Sequence, residues 1–374
     1  MNRRKMLSMN VCATAAISFS PLAMAQPKPR KTKVSIVGNA FHINGQPTYR
    51  GRMWQGKKIE GLLMNSRMVQ GIFDDENPDT RGLWAYPDGP YDADRNTNAF
   101  IKAMPEWRKK GLLSFDINLQ GGSPYGYGNG RAWINSAYDF QTGALKPAYM
   151  ARLERILDAA DDLGMVPMVG YFYFGQSSRF ANEAAVVAAT DAVTDWLIAK
   201  RYTNLLIEIA NESNIGQHPP ILKPERAHEM IARVQERTRG KVDSPAGRLL
   251  VSTSYGGRTI PGEEVAKVAD YLLLHGNSVA DPAEITQMVA KTRALANYRN
   301  QPIVFNEDDH FDFDKPVNNF TAAVGSYASW GYFDFRVKGE TAFTDGYQSM
   351  PADWGISSAR KRAFFDKVAE ITGN

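Results

Sequence analysis

The sequence predicts an α/β fold, namely a (β/α)8 TIM barrel with a small N-terminal β-hairpin cap. From Arg67 onward, short apolar runs alternate with longer helical segments, and this alternation gives eight strand–helix pairs. The apolar runs are continuous, as expected of parallel strands buried on both faces. No Gly-x-Gly-x-x-Gly motif follows an early strand, which disfavours an open dinucleotide-binding sheet. The chain has 374 residues, 43% of them hydrophobic, and eight units of this size close into a barrel.

The first 25 residues have the pattern of a secretory signal peptide. Arg3-Arg4-Lys5 form a basic segment, residues 6–22 are mostly apolar or small, and Ala23-Met24-Ala25 is a small-x-small cleavage site. Residues 2–7 also resemble a twin-arginine export signal, although an ordinary basic segment explains them equally well. We therefore expect a periplasmic or secreted protein, exported by the general secretory or the twin-arginine route.

The predicted signal peptide contains the only cysteine and most of the net positive charge of the chain. Cys12, the one cysteine, lies inside it, so no disulfide or cysteine metal site is expected in the mature chain. Residues 1–25 contain Arg3, Arg4, Lys5 and no acid, which accounts for three of the four net positive charges. No nucleic-acid partner is therefore expected. No integral membrane segment is expected after signal cleavage.

Two further regions are predicted after the signal peptide. Residues 26–66 form a linker and the hairpin cap, in which Asn44-Gly45 lies between alternating apolar residues, a strong hairpin signal. Residues 67–374 form one barrel domain. Its predicted strands are 67–73, 112–119, 166–173, 204–210, 249–253, 271–275, 303–305 and 331–335. Its predicted helices are 97–110, 147–163, 183–200, 224–239, a short one from 262, 282–297, 317–329 and 359–371.

Two strands of the predicted barrel end in glutamates. The apolar run from Leu205 ends in Asn211-Glu212, and the run from Pro302 ends in Asn306-Glu307. Side chains at the C-terminal ends of barrel strands form the active site of this fold, so both carboxyl groups can face one pocket. One carboxyl group with a raised pKa can protonate a leaving oxygen while an ionised one attacks. The pattern predicts hydrolysis of a glycosidic bond by Glu212 and Glu307.

Other polar and aromatic side chains at the strand ends are predicted to bind substrate. Amide and imidazole groups suit sugar hydroxyls, and aromatic rings suit sugar faces. The predicted set from the strand ends is Asn211, His275, Asn277, Gln120, Tyr173 and Tyr255. Long loops carry further aromatic rings, for which sugar stacking and ordinary packing are equally good explanations; these are Trp84, Tyr86, Tyr125, Tyr127 and Trp133. Long loops after strands 1 and 2 favour a walled pocket and an exo-acting or short-substrate enzyme.

This arrangement resembles glycoside hydrolase clan A, with the cellulase-like family 5 as its nearest comparison. The resemblance implies that Glu212 is the general acid/base, that Asn211 binds the substrate 2-hydroxyl and that Glu307 is the nucleophile. It also implies a retaining reaction, with carboxyl groups about 5–5.5 Å apart. Trp330 corresponds to the strand-8 tryptophan of the family and joins the predicted substrate-binding set.

The chain also departs from family 5. The family usually has an arginine near the end of strand 2, where this chain has Asn118-Leu119-Gln120. It often has His-x-Tyr at strand 6, where this chain has His275-Gly276-Asn277, so Tyr255 is our substitute for the tyrosine that orients the nucleophile.

Two alternative functions remain open from the sequence. One is a metal-dependent barrel hydrolase or lyase that uses Asp308, His310 and Asp74. The other is a catalytically silent carbohydrate-binding protein. Glu208, inside strand 4, is predicted to be a structural carboxylate of the barrel interior. The preferred prediction needs no cofactor and no metal, and its partner is an oligosaccharide, polysaccharide or glycoside substrate.

Overall fold

The structure, a computed structural model, describes residues 29–127 and 132–374. The predicted signal peptide lies outside the described residues. Three short strands follow, β1 (Val34–Val37), β2 (Ala40–Ile43) and β3 (Gln46–Pro47), and they pair antiparallel. Asn44 and Gly45 both have positive φ, at 51° and 77°, as a two-residue hairpin turn requires. The predicted hairpin is confirmed, and a second small one joins β4 (Met53–Trp54) to β5 (Lys57–Lys58).

Eight parallel strands form the barrel, as predicted. They are β6 (Asn65–Ser66), β7 (Ser114–Asn118), β8 (Val166–Tyr173), β9 (Leu206–Asn211), β10 (Leu250–Ser252), β11 (Leu272–His275), β12 (Ile303–Glu307) and β13 (Gly331–Tyr332). Parallel pairing joins β7, β8, β9 and β10 side by side in that order. It also pairs β11 with β12, and β13 with β6. The bridges Arg67–Asp116 and Val304–Ser329 join β6 to β7 and β12 to β13, and the Asp270 N–H donates to the Val251 carbonyl between β10 and β11. The barrel is therefore closed.

Helices alternate with these strands and surround them. They are α1 (Ala93–Lys109), α2 (Pro147–Leu163), α3 (Phe174–Ser177), α4 (Glu183–Ala199), α5 (Ala227–Thr238), α6 (Glu263–Val268), α7 (Pro282–Arg293), α8 (Asn319–Gly325) and α9 (Ala359–Thr372). Side-chain caps fix several starts; for example, Asn182 accepts from the Ala185 N–H at the start of α4. Among the described residues, no helix is long and apolar enough to cross a membrane.

The first barrel strand differs from its prediction. We predicted a strand over residues 67–73, but the strand is Asn65–Ser66 and the following apolar residues lie in turns. Their hydrophobic side chains are buried outside the barrel, where Gly71 packs against Phe100, Ile117 and Ile156. The apolar run thus reflects packing under α1 and α2 rather than strand structure. As a consequence, Arg67 lies at the C-terminal mouth.

The interior of the barrel is apolar at one end and polar towards the other. Val34 and Phe41 of the hairpin close the N-terminal end by packing on the first residues of the strands; this group includes Leu63, Leu113, Val166, Met168, Leu206, Leu250, Tyr271, Leu273 and Val304. Further along the strands, the buried side chains are polar, namely Asn65, Asp116, Asn118, Glu208, Ser252 and Asn306. The polar part leads directly to the mouth, where the two predicted catalytic glutamates lie.

Candidate active site

The two predicted catalytic glutamates share one buried site. Glu212 follows the last residue of β9, Glu307 ends β12, and they are 9% and 4% exposed. His275, at the end of β11, lies between them: its Nδ1 is 3.0 Å from Glu212 Oε1 and 3.6 Å from Glu307 Oε2. An oxygen of each carboxylate and a ring nitrogen of His275 all lie within 4.8 Å of one another. The geometry allows one small reacting group to contact both carboxylates.

The backbone of Glu212 has an unusual conformation that helps to direct its side chain. Its φ is 52°, in the left-handed region that a non-glycine residue rarely adopts, at a cost on the order of 1 kcal/mol. Two hydrogen bonds hold it: its N–H donates to Ser254 Oγ at 2.9 Å, and its carbonyl accepts from the Ile215 N–H at 2.8 Å. Such strain is common where a side chain must be held in place for function.

Arg67 is a site residue that our sequence reasoning missed. Its guanidinium is buried, with Nε 2.8 Å from Glu307 Oε2 and Nη2 donating to Asn211 Oδ1 at 2.9 Å. Family 5 usually has an arginine near the end of strand 2, and this chain has none there. Arg67, which follows the first barrel strand, places an arginine at the mouth instead. The signal in the sequence was a lone arginine at the start of a mostly apolar run.

Asn277 contacts Glu307 in the place where a tyrosine was expected. Its Nδ2 donates to Glu307 Oε1 at 2.7 Å, so Asn277 and Arg67 each contact a different oxygen of that carboxylate. Tyr255 does not do this, because its ring is buried and its hydroxyl lies against the backbone of Gly262 at the start of α6. The prediction that Tyr255 orients the nucleophile is therefore wrong.

Replacing Asn277 by alanine is expected to lower kcat by about 10²-fold while changing KM little, because the lost hydrogen bond orients the attacking carboxylate. Steady-state kinetics would measure this. Asn277→Asp is the informative partner variant, since its negative charge would also raise the pKa of Glu307 and shift the acidic limb of the rate profile upward. Equal kcat in Asn277→Ala and the parent protein would contradict the role of Asn277 in orienting Glu307.

Asn211 is held in place from both sides. Its side-chain oxygen accepts from Arg67, and its backbone carbonyl lies 2.9 Å from His218 Nε2. The other His218 nitrogen is 2.9 Å from Ser177 Oγ. Burial lowers the pKa of His218 to about 4, so its ring is neutral and has one N–H to donate. The side-chain oxygen and the backbone carbonyl of Asn211 are thus both held by the protein.

The electrostatics of the two glutamates are coupled through His275. Burial acts to raise the pKa of Glu212, but the His275 hydrogen bond and nearby positive charge outweigh it and leave that pKa below its usual range. Burial raises the pKa of Glu307, and Arg67 and His275 offset this only in part. Burial opposes charge on His275, but the two carboxylates raise its pKa overall. In the ligand-free site the pKa of Glu307 is therefore raised and that of Glu212 is lowered.

Two raised histidine pKa values predict how stability changes with pH. Besides His275, His310 has a raised pKa, chiefly through its hydrogen bond to Asp308. A histidine whose pKa is higher when folded stabilises the fold fully below its unfolded pKa near 6.5, and this stabilisation is lost as pH rises through the folded value. We expect Tm to fall as pH rises above about 6.5, by about 1–2 °C for each kcal/mol lost in a chain of this length. Calorimetry of the parent and of His310→Gln would measure it; a Tm that rises over this range of pH would contradict the account.

Gln120 and Trp330 were predicted to bind substrate, and the structure contradicts both. Gln120 is fully buried; its Oε1 accepts from the Tyr173 N–H and its Nε2 donates to Ser136 Oγ, so both ends are used by the protein. Trp330 is also fully buried, stacked on Phe320 with ring centroids 4.8 Å apart. Neither side chain can contact a sugar.

Tyr173, by contrast, lies near the glutamate pair. Its ring is buried against Phe174, with centroids 4.4 Å apart, and its hydroxyl lies by the backbone of Ser123. Burial and the charges of Glu212 and Glu307 raise its pKa, so it remains a neutral phenol. The structure therefore brings together Glu212, Glu307, Asn211, His275, Asn277 and Tyr173, with Arg67 added.

Of the three residues of the predicted metal alternative, Asp308 and His310 lie together with Asp309 at the spacing of metal ligands, whereas Asp74 lies elsewhere. Asp308 is fully buried and accepts from Trp330 Nε1 at 2.9 Å and from Asn319 Nδ2, while His310 Nδ1 lies 2.7 Å from it. Asp74 forms an ion pair with Arg152 instead. The Asp308 carboxylate thus serves to fix the loop after β12. Glu212, His275 and Glu307 also have the spacing of a metal site, but the Arg67 cation beside Glu307 opposes a second positive charge there.

The fold matches known structures although the sequence does not. No protein-family profile matches the chain, and no curated protein matches it in sequence. An endo-1,4-β-mannanase from Rhizomucor miehei superposes with a TM-score of 0.54, covering 91% of this chain and 99% of that one at 9% identity. The chain has the fold of family 5 glycoside hydrolases.

Two further matches carry the same family 5 fold. A family 5 mannosidase from Rhizomucor miehei gives a TM-score of 0.52 at 14% identity, covering 91% of this chain and 97% of that one. A GH5-4 broad-specificity endoglucanase from Bacteroides salanitronis gives 0.53 at 10% identity, covering 83% and 93%. The predicted resemblance to clan A, and the (β/α)8 barrel with it, are confirmed at the level of the fold.

Proposed function

We propose that the chain is a retaining glycoside hydrolase that cleaves a β-glycosidic bond, with Glu307 as nucleophile and Glu212 as general acid/base. The observation that carries this proposal is the close approach of the two carboxylates at the ends of β9 and β12, where one oxygen of Glu212 and one of Glu307 lie within 4.8 Å of each other. Inverting enzymes hold their carboxyl groups about 6.5–9.5 Å apart to admit a water, and retaining enzymes about 5–5.5 Å apart. The short distance supports direct attack by a carboxylate.

The proposed reaction has two displacements. In the first, a Glu307 oxygen bonds to the anomeric carbon, the glycosidic C–O bond breaks, and the leaving oxygen takes the proton of Glu212. In the second, Glu212 removes a proton from water, the water oxygen attacks the anomeric carbon, and Glu307 leaves as a carboxylate. Arg67 and Asn277 hold Glu307 during both steps, and the amide N–H of Asn211, whose oxygen is held by Arg67, would donate to a substrate hydroxyl.

The reaction needs a proton on Glu212, whereas in the ligand-free site the pKa of Glu307 is the raised one and that of Glu212 is lowered. Substrate binding supplies the difference. A glycosidic oxygen beside Glu212 accepts a hydrogen bond only from the protonated form, and developing positive charge at the anomeric carbon favours an ionised Glu307. His275 Nδ1 lies within 3.6 Å of an oxygen of each carboxylate, so it can hydrogen-bond to either one as the proton moves from Glu307 to Glu212.

The substrate and the location are also proposed. Two of the matched structures are named as a β-mannanase and an endoglucanase. We therefore propose a β-mannosidic or β-glucosidic substrate. The signal-like residues 1–25 support export to the periplasm or medium, where such glycans are encountered.

A panel of substrates tests the function. The mature protein would be incubated with β-mannan, β-glucan and aryl β-mannosides and β-glucosides, with and without EDTA, and released reducing ends would be measured. We expect release from at least one substrate that EDTA does not change. Loss of activity in EDTA and its return with a divalent ion would favour a metal at Glu212, His275 and Glu307. Sugar binding without any release would favour a silent binding protein.

A further inference from the structure

A pocket lies at the end of the barrel opposite the glutamate pair. We call it the arginine pocket. Its volume is about 430 Å³, within the range of about 300–1,000 Å³ typical of small-molecule sites. Residues 49–52, Arg108 and residues 372–374 line it together with Leu113, which precedes β7 and belongs to the apolar group at the N-terminal end of the strands. The candidate active site lies at the other ends of the strands, so the two sites are separate.

Three guanidinium groups share this pocket, and the fold brings them there from two separate segments. Arg50 and Arg52 lie in the turn between β3 and β4, and Arg108 lies in the last turn of α1. The C-terminal end of a helix carries partial negative charge, which stabilises a cation. Arg52 uses the end of α9 in the same way: its Nε and Nη2 donate to the carbonyls of Ile371 and Glu370, at 2.9 and 2.6 Å. The pocket is therefore positively charged, and one of its cations is fixed.

The positive charge of the pocket has no acidic partner in the part of the chain that the structure describes. None of the three guanidiniums forms an ion pair there, whereas an arginine such as Arg233 pairs with Asp191 at 2.6 Å. Glu60, whose charge acts on Arg50, lies outside the lining and is hydrogen-bonded to the backbone. Nε of Arg108 is buried and has no hydrogen-bond partner among the described residues. A buried donor without an acceptor, beside like charges, costs free energy that a bound anion would recover.

We propose that the arginine pocket binds a phosphate- or sulfate-type oxyanion, either free or carried by a sugar. Guanidinium groups bind such anions through paired, charge-assisted hydrogen bonds, and a group of them matches the several oxygens of a tetrahedral anion. One such anion fills only part of the pocket, which leaves room for a sugar ring that carries it. The proposal goes beyond the proposed function and does not depend on it, because the pocket and the glutamates lie at opposite ends of the barrel.

Calorimetric titration of the mature protein at low ionic strength tests the pocket, with inorganic phosphate, inorganic sulfate, glucose 6-phosphate and uncharged glucose as probes. We expect at least one charged probe to saturate a single site. Arg50→Gln and Arg108→Gln should each weaken that binding by at least about tenfold, because each removes a charge-assisted contact. Arg362→Gln, at an exposed arginine of α9 outside the lining, is the matched control and should bind as the parent does. Arg52 is left intact, since it also holds the end of α9.

The probes also distinguish the two sources of the anion. Equal affinity for inorganic phosphate and glucose 6-phosphate would support the proposal with a free anion as the ligand. Tighter binding of glucose 6-phosphate, lost in Arg108→Gln, would support it with an anion carried by a sugar.

Absence of saturable binding by every charged probe, or unchanged affinity in both Arg50→Gln and Arg108→Gln, would overturn the proposal. An equal loss of affinity in Arg362→Gln would also overturn it, because it would indicate general attraction to a basic surface. Arg50 is exposed and takes no hydrogen bond to the described residues, so Arg50→Gln keeps the test valid if Arg108→Gln fails to fold. Anion binding without sugar hydrolysis would retain the arginine pocket and remove the proposed function, and hydrolysis without anion binding would do the reverse.

Discussion

Replacing Glu307 by glutamine is expected to lower kcat by at least about 10⁴-fold, because an amide cannot form the covalent bond to the anomeric carbon. Steady-state kinetics on the best substrate of the panel would measure the loss. Glu236→Gln, at an exposed glutamate of α5 paired with Arg239, is the matched control and should keep full activity. Residual activity of Glu307→Gln above about a tenth of the parent would contradict its role as nucleophile.

The companion variant Glu212→Gln should lose activity in a way that depends on the leaving group. A poor leaving group, such as a sugar hydroxyl, needs protonation in the first step, whereas an acidic phenol does not. We therefore expect a large loss of kcat on a natural glycan, and a burst of phenol release on an aryl glycoside followed by slow turnover. The opposite pattern, with the burst in Glu307→Gln, would exchange the roles of the two glutamates.

Replacing Arg67 by methionine is expected to lower both activity and stability. The guanidinium is buried beside Glu307 and Asn211, with Asp116 3.7 Å from it, so its removal leaves buried carboxylates without their cation. Breaking a buried ion pair by removing one partner costs about 3–5 kcal/mol of unfolding free energy. The loss of an electrostatic contact to the reacting carboxylate should also lower kcat/KM by about 10²–10³-fold.

Denaturant unfolding and steady-state kinetics of Arg67→Met would test this prediction. Arg233→Met is the matched control: that arginine pairs with Asp191 on the helical surface, and exposed pairs contribute about 0–1 kcal/mol. Equal unfolding free energies for Arg67→Met and Arg233→Met would contradict the central position given to Arg67.

The sequence predicted those parts of the fold that local signals determine. The α2 helix and the β8 strand were predicted with their observed bounds, 147–163 and 166–173. In α2, Pro147 occupies the first helical position and Gly164 ends the helix in the left-handed conformation, so both ends are set by nearby residues. The glutamates at the ends of β9 and β12 could be found for the same reason, since each follows a short apolar run.

Other features depend on contacts between distant segments and could not be read from local patterns. The run after Arg67 is as apolar as a strand, yet helices α1 and α2 bury it outside the barrel, and only the pairing of β6 with β13 shows where the strand lies. Trp330 has the expected residue type, but its hydrogen bond to Asp308 of the preceding βα loop and its stacking on Phe320 of α8 remove it from the mouth. The contacts of Asn277 and Arg67 with Glu307 likewise join strands far apart in sequence.

Covalent trapping tests the central claim most directly. A 2-deoxy-2-fluoro β-glycoside with an activated leaving group, in the gluco and manno forms, slows both displacements but still allows the first to proceed. Intact-protein mass spectrometry should then show one added glycosyl group, and peptide mapping should place it on Glu307. A glycosyl group on Glu212, or active turnover of an aryl glycoside with no trapped species and inversion at the anomeric carbon, would contradict the proposed mechanism.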